Sequence, residues 1–580
     1  MKKIFLALTF VLPFALHHSS CYAQDDGTYN ESVVVKGSYR PVIEPQEKLY
    51  FPATITDTLG RMERDFQYSI TPTRLKALYE PSRIKAARIV GEPTTKLYNN
   101  YLRLGFGNYW SPLADLYWSS TRDRLKTYGI RLNHLSSWDK LPDYGPNHFG
   151  NTGLTIFGKY IVGEVLQLSS DLSYEHDHNL YYGFTDSTLL ARMNRTRDSI
   201  RTDDYHASYN VATWNIGVKN MELDPNKLGY NANLRLTDLW SQWGLNELNI
   251  NFNGDVHYGF DVIRKYKGVA YLHLEWDGYG NHFTPKGAMP LGFVPDSAQA
   301  ARSTRNIVKV NPYADFMFNG LQFHAGFTAG WDAYTTDTAT TFRFFPDIVV
   351  SKSLLKDNLV VSLGATGGFD ANSWNSIRLI NPYVAPGSEQ RATRHYDIVG
   401  HIRWTLSKKI EANAEVSYQM LRDDLTFLLD TANYCLQNVY RPHYFADNRL
   451  TMGGTVAFVN DEMLTLRAGG HYYAYTLGPD DSVLYYRPKW DALLSADVNY
   501  RNKWFFHLEG QLLGGMTADF GEQIPMRYGV NAEVEYRHNR ALSFFLKMDN
   551  LAFQRYYYWA HYPSQRGLFL LGLTYTIPHQ

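Results

Sequence analysis

The residues of this chain that could do chemistry do not form a known catalytic arrangement. Its 580 residues contain no Gly-x-Ser-x-Gly nucleophile elbow, no His-Glu-x-x-His zinc motif and no phosphate-binding loop. The most suggestive cluster is His176-Asp177-His178, because imidazole and carboxylate groups bind several divalent ions. These residues stand where a strand pattern runs into a loop, and exposed polar side chains are ordinary there. We therefore expect no enzyme, no metal site and no cofactor.

Paired charges lie on the polar faces of several predicted strands. Glu411 and Glu415 of one predicted strand lie near Arg403 of the strand before it. A second set comprises Glu533, Glu535, Arg527 and Arg537. We interpret these charges as the lining of a lumen, where they could tune the passage of polar solutes. They could also hold a lumen segment, such as the basic stretch Arg83, Lys85 and Arg88.

Aromatic residues are frequent in the long segments between the predicted strands. The set is Tyr181, Tyr182, Trp374, Tyr383, Tyr434, Tyr440 and Tyr444. Exposed aromatic side chains could stack on sugars or anchor a protein partner. They could equally pack the loops on one another, and the sequence leaves both interpretations open.

The elements that position these residues show a repeat of two. Within 164–175, Leu168 and Leu172 alternate with Asp171 and Glu175, and the segments 410–420 and 527–537 alternate in the same way. Successive side chains of a strand point to opposite faces, so each segment has one apolar and one polar surface. The strands run about 10–16 residues, longer than the mode of about 5–6 in globular sheets. A tilted membrane-spanning strand needs about 9–11.

The connections alternate between short turns and long loops, which is typical of outer-membrane barrels. Aromatic residues form 15% of the chain, and a barrel uses them as two girdles at the membrane interfaces. We therefore predict an all-β, transmembrane antiparallel barrel of about 22 strands, with both termini in the periplasm. The strands are expected near 97–107, 113–121, 125–137, 148–161, 164–176, 204–221, 227–239, 245–258, 264–278, 304–318, 321–334, 340–353, 358–371, 394–407, 409–421, 446–459, 462–476, 485–500, 503–516, 525–537, 541–553 and 566–577.

The N-terminus predicts export. Lys2 and Lys3 precede a short apolar run, and small residues precede a cleavage site after Ala23, so residues 1–23 read as a signal peptide. The exported chain keeps one cysteine, Cys435, and therefore no internal disulfide. Its charge is nearly balanced, 57 Lys and Arg against 57 Asp and Glu before cleavage, which argues against a nucleic-acid partner.

The last forty residues carry a family resemblance. Asp549-Asn550-Leu551, Tyr562-Pro563 and Arg566-Gly567 precede a closing strand that ends at Ile577. This order resembles the end of TonB-dependent outer-membrane receptors, although Arg-Gly stands where the family often has Gly-Arg. The final strand also resembles the assembly signal read by the outer-membrane insertase, to which Gly572, Tyr575 and Ile577 would correspond. Leu570 departs from the polar residue that usually begins this signal.

The segment Val33, Val34, Val35, Lys36 and Gly37 resembles a TonB box, with Lys36 in place of the usual threonine. A short apolar segment of this kind can add a strand to a partner's sheet edge. The resemblance therefore implies a TonB-type energy coupler as a partner, beside membrane lipid and the insertase.

The N-terminal extension departs from the receptor family. Its members carry a plug of well over a hundred residues, whereas 24–96 leaves only 73, punctuated by prolines. We therefore assign 24–96 as a reduced plug with a TonB-box-like segment and 97–580 as an outer-membrane barrel. The resemblance favours a receptor-like barrel in transport across a Gram-negative outer membrane. The short extension favours an accessory subunit of a larger outer-membrane complex, and a passive pore is a third possibility.

Overall fold

A computed structural model describes residues 100–577 except for short gaps. The gaps are 121–122, 124, 164, 222–225, 264–265, 286–301, 335–339, 432–435, 461–462 and 480–482. The predicted signal peptide, the N-terminal extension and Cys435 therefore lie outside the described residues.

The chain forms a closed barrel of 22 strands, as the sequence predicts. We number them β1 to β22 in chain order. They are Asn100–Gly107, Ser111–Ser119, Lys126–Ser137, Phe149–Val162, Leu166–Leu180, His206–Asn220, Gly229–Ser241, Leu245–Ile263, Tyr266–Phe283, Arg302–Phe318, Leu321–Tyr334, Thr341–Leu354, Leu359–Asp370, Thr393–Ser407, Ile410–Leu429, Tyr440–Asn460, Leu464–Leu477, Trp490–Tyr500, Trp504–Gly514, Arg527–Arg537, Leu542–Asp549 and Leu568–Ile577.

Each strand pairs antiparallel with its neighbours in sequence, and β22 returns to pair with β1. The closing register matches Asn100 with Ile577 and Gly107 with Leu570. The strands extend from 8 to 21 residues, and the longest continue beyond the bilayer into the loops. Closure leaves no sheet edge, so all strands find backbone partners without water.

The connections are short at one end of the barrel and mostly long at the other. At the long-loop end, helix α1 (Asp186–Met193) lies between β5 and β6, and helix α2 (Trp374–Ile380) lies between β13 and β14. Single turns of 3-10 helix occur at Arg197–Ser199, Thr202–Tyr205 and Asp519–Gly521, and Lys140–Leu141 pairs with Gly145–Pro146. In the described part of the chain, no helix is long and apolar enough to span a membrane.

The predicted faces are confirmed, with the apolar face on the outside. In β15, Val416 and Tyr418 are exposed, whereas Ser417 and Gln419 between them are buried in the wall. The same alternation exposes Leu168 and Leu172 of β5. This inversion of a soluble core is what a lipid-facing surface requires.

Two aromatic girdles bound the apolar band. Trp118, Tyr160 and Trp504 are exposed near the short-turn end, and Trp138 and Trp331 are exposed near the long-loop end. Strand β7 gives the distance between the two girdles. Its residues Tyr230 and Trp240 are both exposed on the same face and lie ten residues apart. At about 3.3 Å per residue and a tilt of about 40°, that spacing is about 25 Å across the membrane, the height of the apolar band in such barrels.

The seam between β1 and β22 is packed around the inward-pointing side chain of Phe545. Gly105 and Gly572 face each other in register, and the Phe545 ring lies against both. The guanidinium of Arg103 sits 3.8 Å from the centre of that ring and binds Glu533 at 2.7 Å. The contact therefore links the first strand to β20 across the closing pair.

Substitution of Gly572 by alanine should impair closure. Its Cβ would lie 2.2 Å from the Leu104 carbonyl oxygen and 2.4 Å from the Phe545 ring, so backbone has to move. Overpacking of this kind costs about 1–3 kcal/mol. We expect less heat-modifiable barrel on gels for Gly572→Ala. The matched control is Gly510→Ala, where the nearest atom is 4.0 Å away; an equal loss in both variants would contradict the seam argument.

Candidate functional site

The loops at the long-loop end fold over the barrel mouth and pack together. We call this structure the cap, formed by the described residues of loops 181–205, 371–392, 430–439, 478–489, 515–526 and 550–567. Its core includes the buried side chains of Tyr181, Tyr182, Phe184, Leu189, Trp374, Ile377, Val384, Tyr486, Trp559 and Tyr562. This is the largest buried apolar cluster in the described chain. The barrel lumen therefore lies beneath a packed layer of loops.

Three tyrosines from three loops meet at the centre of the cap. Tyr383 and Tyr562 stack with ring centres 3.4 Å apart and planes 11° from parallel. Tyr182 meets both rings edge-on, at 6.1 Å and 5.1 Å. Burial raises the pKa of Tyr383 to about 12 and that of Tyr182 well above its usual value. These phenols therefore stay neutral at ordinary pH.

The phenol groups also connect the loops by hydrogen bonds. Tyr182 donates to the Pro563 carbonyl at 2.9 Å, and Tyr440 donates to the Ala560 carbonyl at 2.7 Å. The Tyr562 hydroxyl donates to the Asn438 carbonyl. Backbone carbonyls that the packed loops remove from water thus accept hydrogen bonds from tyrosine side chains of neighbouring segments.

The interpretation that the loop aromatics pack the loops on one another is confirmed for the residues described. Tyr181, Tyr182, Trp374 and Tyr440 are buried, and the Tyr444 hydroxyl donates to the Glu389 carbonyl at 3.2 Å. Tyr434 lies outside the described residues.

A buried carboxylate of the barrel holds helix α2 from below. Glu247 of β8 accepts hydrogen bonds from the backbone amides of Trp374 at 2.7 Å and Asn375 at 3.2 Å. These amides are the unpaired donors of the helix N-terminus, where negative charge is favoured. Gln390 at the far end of the loop donates to the same carboxylate at 3.2 Å. One barrel side chain therefore holds both arms of loop 371–392.

A buried ion pair holds the other end of α2. Arg378 lies 2.6 Å from Asp177 of β5, with side chains only 5% and 3% exposed. Asn375 accepts two hydrogen bonds from the guanidinium, and Asn151 donates to the second Asp177 oxygen at 2.6 Å. Full hydrogen bonding is what makes such a buried pair tolerable.

This geometry also shows that the three side chains of the His176-Asp177-His178 cluster do not point to the same place. Asp177 points inward to Arg378, so the two histidines lie on the opposite face of β5, as strand alternation demands. The His178 ring lies 6.0 Å from that of His176 and 5.7 Å from that of His206. Within the described residues, no group of three His, Cys, Asp or Glu side chains could hold a metal ion.

A second anchor lies between β15 and the neighbouring loops. Asp424 binds Arg449 at 2.6 Å and Arg487 at 2.9 Å. Asp519 accepts the Leu429 amide at 3.0 Å and the Tyr486 hydroxyl. Charged side chains from loops 478–489 and 515–526 thus tie both loops to the top of β15. These contacts leave no signal in the sequence, because the partners are far apart along the chain.

The predicted lumen charges are arranged differently from the expectation. Arg403 is in register with Asn413, and it forms no ion pair with Glu411 or Glu415 in the described structure. Arg403 and Glu411 are exposed, and Glu415 is half-buried. Glu533 pairs with Arg103 across the seam, a contact between the first strand and the twentieth. The long sequence separation again explains why the pairing was not predicted.

Beneath the cap lies a cavity of about 530 Å³. Its walls are inward-facing residues of β2 to β5, β20 and β21, and its roof is formed by cap side chains. These include Asn133, Asn147, Asn151, Arg378, Tyr383, Arg527, Asp549, Asn550, Tyr556, Tyr558, Trp559 and Tyr562. It combines aromatic surface with converging polar groups, the usual composition of a small-molecule site.

The predicted assembly-signal residues all lie in β22. Gly572 packs against Phe545, whereas Tyr575 and Ile577 are exposed on the lipid-facing side. The TonB-box-like residues Val33, Val34, Val35, Lys36 and Gly37 lie outside the described residues.

The barrel is similar to solved outer-membrane receptors. The ferric-catecholate import receptor Fiu of E. coli K12 shares 12% identity, with 83% of this chain and 82% of that chain covered and a TM-score of 0.60. The pyoverdine outer-membrane receptor FpvA of Pseudomonas aeruginosa PAO1 shares 10%, covering 84% and 79%, with a TM-score of 0.60. The siderophore receptor PirA of Acinetobacter baumannii shares 9%, covering 83% and 81%, with a TM-score of 0.61.

No family model and no curated protein matches the chain. The likeness is therefore one of fold. The fold is that of the solved outer-membrane receptor barrels, here with 22 strands, as the resemblance to TonB-dependent receptors implied.

Removal of the Asp177 carboxylate should release α2 from the barrel. Asp177→Ala leaves Arg378 buried without its carboxylate, which costs about 3–5 kcal/mol for such pairs. We expect faster protease cleavage within loop 371–392 while the barrel stays heat-modifiable. The control is Arg201→Ala, whose pair with Asp203 is 81% and 77% exposed. Unchanged cleavage in Asp177→Ala would contradict the anchor.

The cap should loosen in alkali. Since burial raises the pKa of Tyr383 above the usual value near 10, its neutral form stabilises the cap at lower pH. That contribution is fully present below about pH 10 and is lost as the pH rises toward 12. We expect near-ultraviolet circular dichroism to lose intensity over this range, less so in Tyr383→Phe. Identical profiles for both proteins would argue against the assignment.

Proposed function

We propose that the protein is a receptor-like barrel that works in transport across the outer membrane. The fold it shares with import and siderophore receptors supports this function. The long-loop end would face the cell exterior, and both termini would lie in the periplasm, because β1 begins and β22 ends at the short-turn end.

The cap is the observation that carries the proposal. A passive pore needs an open path for water, whereas here six loops bury an aromatic core across the mouth. The cap is also tied to the wall by Glu247, Asp177 and Asp424. Such a closed layer favours a barrel that opens in a controlled step.

The energy for such a step would come through the N-terminal extension. Residues 33–37 are the proposed contact for a TonB-type coupler, and residues 24–96 are the proposed reduced plug. Gly572, Tyr575 and Ile577 would be read by the insertase during assembly, and the exposed apolar band would contact lipid.

The second candidate is an accessory subunit of a larger outer-membrane complex. The short extension favours it, because 73 residues between the signal peptide and the barrel are few for a family plug. A pull-down from detergent that returns stoichiometric outer-membrane partners would support this candidate over a self-sufficient transporter.

The protein should conduct weakly in planar bilayers. The wild-type chain is expected to show little ion flow, since the cap closes one end of the lumen. A variant lacking residues 24–96 should conduct several-fold more if this segment fills the other end. Strong conductance of the wild type would favour the passive pore.

Substitution of Val34 by proline should abolish energised uptake. Proline removes a backbone donor and prevents the segment from adding a strand to a coupler. Growth or uptake that depends on this protein should fall to the level of a deletion strain, whereas the control Val34→Ile should behave as wild type. Full activity of Val34→Pro would reject coupling through this segment.

A further inference from the structure

The short turns along one side of the barrel carry exposed cations. These turns join β12 to β13, β14 to β15, β18 to β19 and β20 to β21. In the described structure, none of their cations forms an ion pair, whereas Lys126 on the other side of the same end pairs with Asp123 at 3.8 Å. The cations are Lys356, Lys408, Lys409, Arg501, Lys503 and Arg540, and all six are exposed.

These turns belong to one continuous rim, because each is hydrogen-bonded to the end of the next strand pair. The amide-to-carbonyl bonds run from Thr405 to Asn358 at 2.7 Å, from Val459 to Lys409 at 2.7 Å, from Asn499 to Met463 at 2.9 Å and from Arg537 to Lys503 at 2.8 Å. Neighbouring strands lie about 4.8 Å apart, so successive turns are separated by about 10 Å. We call this arc of the short-turn end, from turn 355–358 to turn 538–541, the basic rim.

Acidic residues divide the basic rim into two cationic patches. Asp357 lies in the first turn, and the sequence places Asp461 and Glu462 in the turn between β16 and β17, although both lie outside the described residues. Turns 355–358 and 407–409 form one patch, and turns 500–503 and 538–541 form the other. Charges one turn apart are separated by about one Debye length in 0.1 M salt, so the acidic turn only partly offsets its neighbours.

Exposed apolar side chains lie directly beside these cations. Leu355 and Met463 belong to the turns themselves and are 63% and 53% exposed. Tyr500 and Trp504 are also exposed, on either side of turn 501–503, and the Arg501 guanidinium lies 5.2 Å from the centre of the Tyr500 ring. Large apolar side chains in exposed turns are unfavourable in water and favourable against acyl chains. The combination is therefore that of a membrane interface.

The excess of unpaired cations is not shared by the best-described long loop at the other end of the barrel. Loop 181–205 contains four arginines and four aspartates. Two of these arginines are paired within the loop, Arg197 with Asp186 at 2.6 Å and Arg201 with Asp203 at 2.9 Å. The basic rim thus offers charges to a partner, whereas this loop neutralises its own.

We propose that the basic rim binds anionic phospholipids of the leaflet at the short-turn end. The lysines and arginines pair with the phosphodiester groups, and the apolar and aromatic side chains beside them contact the acyl chains. An acidic protein would match the charges but leave those apolar side chains uncovered. The inference specifies the lipid contact named under the proposed function, and it depends neither on transport nor on an energy coupler.

Native mass spectrometry of the full-length protein tests the preference directly. The probes are phosphatidylglycerol and phosphatidylcholine with the same acyl chains, supplied at equal concentration. Each cation close to an anionic surface contributes about fivefold to binding, so we expect at least about fivefold more phosphatidylglycerol adducts. The preference should decline as ammonium acetate is raised, because salt screens the attraction. Equal retention of the two lipids, or a preference independent of salt, would overturn the proposal.

Removal of four rim charges should abolish the preference for the anionic lipid. The rim variant is Lys408→Gln, Arg501→Gln, Lys503→Gln and Arg540→Gln. The matched control removes four exposed charges at the long-loop end, namely Lys140→Gln, Arg195→Gln, Arg201→Gln and Arg302→Gln. We expect the control to keep the preference of the wild type. The same fall in both variants would show that net charge, and not the rim, selects the lipid.

Heat-modifiable migration reports whether each variant is folded. If the fourfold rim variant does not fold, the double variant Arg501→Gln and Lys503→Gln replaces it, and its preference should be at least about fivefold lower than that of the wild type. An excess of glycerol 3-phosphate should leave the lipid adducts in place, whereas displacement would indicate a site for phosphate alone. Since lipid binding is measured without uptake, failed uptake with an intact lipid preference would reject only the proposed transport function.

Discussion

The need to satisfy every backbone polar group without water is the constraint on which this structure depends. Within a bilayer an open sheet edge has no partner, so the sheet must close on itself. Here closure is made by eight residue pairs between β1 and β22. The paired glycines Gly105 and Gly572 leave room for the Phe545 ring inside that seam. The C-terminal glycine is thus a packing requirement as well as a candidate assembly signal.

Closure creates an interior that is polar and an exterior that is apolar. The lumen wall can therefore carry buried carboxylates such as Glu247 and Asp177, provided that they find donors. The loops supply those donors through the N-terminus of α2 and through Arg378. The cap therefore supplies the hydrogen-bond donors that the buried carboxylates of the barrel wall require. Its aromatic core packs over these contacts and keeps water away from them.

The same arrangement brings the cap and the barrel wall together around one cavity. This cavity has strand residues for walls and cap tyrosines for a roof. A ligand can shift a closed state toward an open one only through contacts that differ between the two states. The cavity lies where such differential contacts are available, because cap and wall meet in it.

The sequence by itself determined the barrel. A repeat of two residues, strands of membrane-spanning length and alternating connections depend only on local geometry, and all 22 predicted strands are present in the structure. Alternation also places Asp177 on the face opposite His176 and His178, so the repeat of two is enough to separate the aspartate from the two histidines. The tertiary structure decided the rest. Arg103 with Glu533, Tyr383 with Tyr562 and Asp177 with Arg378 are separated by 430, 179 and 201 positions. The first pair is set by closure of the barrel and the other two by how the loops fold over its mouth, and no local sequence pattern records either arrangement.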